Sequence, residues 1–85
     1  MTFDTANFVG LIGSVIFIAA FAYSNLAASL NKLWYNAANL LGALLLLASL
    51  AVHFNLAAVV LELAWGAIAL VGLFLAVRAR IRGQT

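Results

Sequence analysis

The chain has 85 residues, 68% hydrophobic and 7% charged, with a formal net charge of +2 and neither cysteine nor proline. Soluble domains carry about 25% charged residues, and a fold this small cannot hide so much apolar surface from water. The composition excludes an ordinary water-soluble domain, and the missing cysteines exclude a disulfide framework and thiol chemistry.

The apolar residues come in runs suited to crossing a bilayer, whose hydrocarbon core of roughly 30 Å takes about 20 residues of helix. The first predicted span runs from about Phe8 to Tyr23, fraying toward Ala28, with Asp4 or Thr5 as its N-cap. Ser24 to Lys32 is the longer connection, and Leu26, Leu30 and Leu33 follow helical spacing along an interface. The second span runs from about Leu33 to Val52. His53, Phe54 and Asn55 then make a short connection, so the second and third spans form a tight antiparallel hairpin. Asn55 is the expected N-cap of the third span, about Leu56 to Val77. The fold expected is all-α, a three-helix transmembrane bundle forming one integral membrane domain over residues 1–85. The start carries Asp4 and no basic residue, which argues against a signal peptide.

Orientation follows from the basic residues. Lys32 lies between spans one and two, and Arg78, Arg80 and Arg82 follow span three. Three spans put both regions on one side, which the positive-inside rule makes cytoplasmic. The N-terminus and His53 then face outward and the C-terminus is cytoplasmic. Trp34 and Tyr35 fall in the inner aromatic belt, with Phe3, Phe8 and Phe54 toward the outer one.

Glu62 is the only acid inside a span. A carboxylate in hydrocarbon is costly, so the group should be neutral, paired or turned to a polar cavity. It lies six residues into span three, roughly 9 Å from the boundary at the helical rise. Ser14 and Ser49 fall at similar depths and are candidate hydrogen-bond partners. No lysine or arginine reaches that depth, so a cationic partner would have to be a ligand. Trp65, one turn from Glu62, either walls a cavity beside the carboxyl or simply packs. Asn36 and Asn39 share a helix face in the other half of the bundle, and Asn39 is the deeper. Both Glu62 and Asn39 have a plainer reading as interhelical glue. His53 reads as a solvated or interfacial histidine, and a lone histidine is weak support for a haem or pigment ligand. The pairs Gly10 with Ser14, Ala38 with Gly42, and Gly72 with Ala76 are spaced for close helix contact.

Ser14, His53 and Asp4 do not share a depth, so no nucleophile–base–acid set forms and no enzyme is expected. Metal-ligand clusters, phosphate-binding glycine loops and nucleic-acid modules are missing from the pattern, and no cofactor or nucleic-acid partner is expected. A membrane rotor subunit is a two-helix hairpin with a glycine-repeat helix, and four-helix multidrug exporters carry their acid in the first helix. Neither pattern is present.

The segment from Trp34 to Leu73 resembles a small bacterial three-helix membrane family loosely labelled permease. The matching features are Asn39-Leu40-Leu41-Gly42-Ala43, Phe54-Asn55-Leu56, Glu62 with Trp65, and Gly72, joined by Gly10-Leu11-Ile12-Gly13 and Ala22-Tyr23 in the first span. In topology and size the chain also looks like the bacterial half-transporters of the sugar-translocating SWEET type, which are N-out three-helix units that pair as dimers. It departs from their first-helix proline–glutamine motif, having Tyr23-Ser24-Asn25 nearby. These resemblances imply a permease-like subunit in a homo-oligomer, with Glu62 and Asn39 in a polar pathway shaped by Trp65 and Ser14. The alternative is a non-enzymatic accessory subunit packed against a larger respiratory, photosynthetic or transport complex, with the same residues as glue. In either case the bilayer and another protein chain are the expected partners.

Overall fold

The computed structural model describes residues 1–83; Gln84 and Thr85, at the end of the expected 1–85 domain, lie outside the described residues. Three helices follow one another: α1 (Phe3–Leu26), α2 (Lys32–Leu50) and α3 (Leu56–Ile81). All three are long and apolar enough to cross a membrane. The molecule is 44 Å long, which matches a bilayer of about 40–45 Å with its headgroup regions.

The ends are set by side chains. At the start of α1, Thr2 and not Asp4 or Thr5 is the cap, because Thr2 is still extended and its Oγ1 accepts from Thr5 N at 3.1 Å. Asp4 falls inside the first turn, where the helix dipole favours a negative charge. The helix thus begins about five residues before the apolar stretch does, since a capped backbone needs no apolar side chains to continue. At the other end, Ser24 Oγ and Asn25 Nδ2 both donate to Phe21 O, at 2.7 and 2.9 Å, and the helix stops.

Residues 27–31 are not helical, so the expected helical run of Leu26, Leu30 and Leu33 is broken there. Asn31 is the reason: its backbone is extended, its N–H donates to Tyr23 Oη at 2.6 Å, and its Oδ1 caps α2 at Trp34 N. α2 ends at Leu50, two residues before Val52, where His53 N turns back to Ser49 O. Asn55 caps α3 as expected, accepting from Ala58 N at 3.1 Å. α3 continues past Val77 through Arg78 and Arg80 and closes at Gly83, whose φ of 73° is the left-handed conformation glycine adopts at helix ends.

α2 is the middle helix. It packs against both neighbours, while no Cα of α1 lies within 8 Å of one in α3 among the described residues. The contacts are made by small side chains: Ala6, Gly10, Gly13 and Ala20 on α1, Gly42 and Ala43 on α2, Ala69 on α3. Large side chains such as Leu11, Val15, Ile18 and Ile68 point outward, each more than 60% exposed. In water this would be an inverted protein. In lipid it is expected, because close backbone approach holds the helices together.

α1 and α2 approach backbone to backbone at Gly13 and Gly42. A Cβ on Gly13 would lie 3.0 Å from Gly42 O, and one on Gly42 would lie 3.3 Å from Gly13 O and 2.6 Å from Phe17 Cδ1. Gly10 also faces α2, against Ser49. Gly66 on α3 is looser, with room for an ordinary contact at 3.4 Å from Ala43 Cβ. Gly42→Val is therefore expected to lower the unfolding free energy in mixed micelles by about 1–3 kcal/mol, whereas Gly66→Ala leaves it unchanged or slightly raised. Equal stability of the two variants would contradict the crossing.

Candidate functional site

The bare backbone of Gly42 opens a path for Phe17, which crosses from α1 to within 5.8 Å, centroid to centroid, of Trp65 on α3. This is the side-chain bridge between the outer helices. It also sets the position of the indole, whose Nε1 donates to Asn39 Oδ1 at 3.0 Å. Asn39 is buried at 6% exposure, and its Nδ2 donates back to Tyr35 O at 2.9 Å. The amide is thus held at both ends. One turn earlier, Asn36 Nδ2 donates to Lys32 O, and its Oδ1 sits in the notch left by Gly72, where a Cβ would overlap it.

Between α2 and α3 these side chains frame a cleft of about 210 Å³, lined by Tyr35, Asn36, Asn39, Trp65, Ile68 and Ala69. The Asn39 amide and the Trp65 indole already bond each other across it, so the wall is mainly apolar. Asn39 and Trp65, expected to help form one site, are in direct contact here.

Glu62 is close by in sequence yet outside the cleft lining. It is 8% exposed, with Ala69 two turns further along the same α2-facing side. Gly66 opposite Ala43 and Gly72 opposite Asn36 fix the antiparallel register. That register brings Glu62 level with the leucine run Leu44–Leu47, which offers no donor. Its Oε1 is buried and has no hydrogen-bond partner among the described residues.

The expected serine partners are elsewhere. Ser14 Oγ donates to Gly10 O within its own helix at 2.9 Å, and among the described residues no Cα of α1 lies within 8 Å of one in α3. Ser49 faces Gly10, on the side of α2 turned to α1. α2 lies between Ser14 and the carboxyl, and Ser49, on α2 itself, is on the side turned to α1. His53 holds the turn to the start of α1: its Nε2 is 3.3 Å from Phe3 O, and the two rings meet edge-on with centroids 4.1 Å apart.

Sequence reasoning missed three elements of this arrangement: the Gly13–Gly42 crossing, the Phe17–Trp65 bridge and the Asn36–Gly72 notch. Gly13 carried a usable signal in Gly10-Leu11-Ile12-Gly13, whose glycines share a face three residues apart. The aromatic bridge carried none, since nothing in the sequence pairs Phe17 with Trp65.

Three apolar helices joined by small-residue contacts define a small membrane protein. The chain belongs to an uncharacterised bacterial family whose model matches residues 6–80, a range that includes Ser14, Asn39, Glu62 and Trp65. No curated protein and no solved structure matches it.

The indole–amide bond has a measurable consequence. In a double-mutant cycle on unfolding in micelles, Trp65→Phe and Asn39→Leu are expected to be coupled by about 0.6–1.7 kcal/mol, the range of interhelical hydrogen bonds in membranes. Additive effects would mean the bond contributes nothing.

Proposed function

We propose that the chain is a permease-like integral membrane subunit of the bacterial inner membrane, acting as a homo-oligomer. Its N-terminus lies outside and its C-terminus in the cytoplasm, in keeping with the four basic residues gathered at one end of the bundle. Glu62 is the protonatable group of the pathway. Asn39 and Trp65 form the adjoining polar wall, and Ser14 contributes only through the packing of α1.

The observation that carries this reading is the buried Oε1 of Glu62 without a partner. Such an atom costs free energy unless something outside the protomer supplies a donor or a cation. Three helices with α2 in the middle do not enclose a channel, so a second copy supplies the missing wall, a dimer being the simplest closed assembly.

A second reading rests on Asn39, whose amide is satisfied at both ends inside the chain. Read that way, the polar residues are helix glue, and Glu62 meets its donor on a larger membrane protein to which this chain is an accessory subunit.

Proteoliposomes separate the two. The wild-type chain is expected to collapse an imposed pH gradient, read with an entrapped pH-sensitive dye, faster than empty vesicles. Glu62→Gln should keep the helicity and particle size while returning the rate to that of empty vesicles. Wild-type vesicles no faster than empty ones, or a variant as fast as the wild type, would remove Glu62 from any pathway.

A further inference from the structure

A second cavity, of about 870 Å³, opens at the end of the bundle opposite His53, where the α1–α2 loop meets the last turns of α3. Lys32 and Arg80 line it from two different helices, with Ser29 and Asn31 adding a hydroxyl and an amide from the loop. The start of α2 also opens on it, and a helix N-terminus favours a negative charge.

Among the described residues no acidic side chain lies near these cations. The only acids are Asp4, in the first turn of α1 at the far end, and Glu62, eighteen residues before Arg80 on the same helix, about 27 Å away at 1.5 Å per residue. Two cations from separate elements, lining one groove with no acidic side chain beside them among the described residues, make an anion site by charge complementarity.

The other wall identifies the kind of anion. Beside the charged groups the groove is lined by Leu33, Leu75 and Ala76, with Leu75 53% exposed. A soluble phosphate has no use for that surface. A phospholipid does, because its headgroup charge and acyl chains lie next to each other at the depth where these helices end.

We infer that this groove seats an anionic glycerophospholipid. Its phosphate lies between Lys32 and Arg80, and the first part of an acyl chain lies against Leu33 and Leu75. The lipid bridges the end of α3 and the α1–α2 loop, which both line the groove. The inference does not depend on Glu62 or on any transport activity.

The test is lipid retention by the purified full chain, read by native mass spectrometry after incubation with equimolar phosphatidylglycerol and phosphatidylcholine. Phosphatidylglycerol is expected to be retained on the order of tenfold over phosphatidylcholine, given the attraction each basic residue adds. The double variant Lys32→Gln with Arg80→Gln should abolish the preference. Arg78→Gln with Arg82→Gln removes the same charge outside the groove and should keep it. Circular dichroism checks that both variants remain helical. Equal losses in the two doubles would reduce the effect to diffuse charge. No preference in the wild type, or displacement of the lipid by an equal concentration of inorganic phosphate, would overturn the site.

Discussion

The close approach of α1 to α2 at Gly13 and Gly42 is the constraint on which the rest depends. With a side chain at Gly42, Phe17 could not cross the middle helix, and the indole of Trp65 would lose the ring it rests on. The Trp65 N–H could then swing away from Asn39 Oδ1, and the cleft beside it would lose its wall. A backbone contact on one side of α2 thus fixes a polar contact on the other. The energetics suit lipid, where no hydrophobic force pulls helices together and packing of small residues with a few hydrogen bonds must suffice.

The three helices and the cap at Asn55 could be read from the sequence because they depend on local features: run length, turn composition and a side chain that bonds three residues ahead. Glu62, Asn39 and Trp65 stood out for the same reason, as polar or aromatic residues at unusual depth. Helix order could not be read. In spans apolar on every face, the pattern of hydrophobic residues does not say which side meets a neighbour. Ser14 shows the consequence, since its depth matched Glu62 while its bond went to Gly10 O. The start of α1 shows another: the apolar stretch marks what lies in hydrocarbon, whereas Thr2 marks where the helix begins.

The two ends of the molecule divide the chemistry between them. Among the described residues, one half holds a carboxyl whose Oε1 has no partner, and the other gathers the basic residues with no acidic side chain beside them. Each therefore points to something outside the protomer. For the carboxyl, what is missing is a hydrogen-bond donor to Oε1. For the basic groove it is an anion at the lipid boundary. Most of its largest side chains face outward, and α1 and α3 meet across α2 through the Phe17–Trp65 ring contact.

The central claim is that a second copy of this chain completes the Glu62 side. The most direct measurement is the mass and composition of the complex extracted gently from native membranes. The account predicts a small particle containing this chain alone, in two or more copies, with bound lipid. A single copy would contradict it, and stoichiometric co-purification with a larger unrelated membrane protein would contradict it in favour of the accessory-subunit reading.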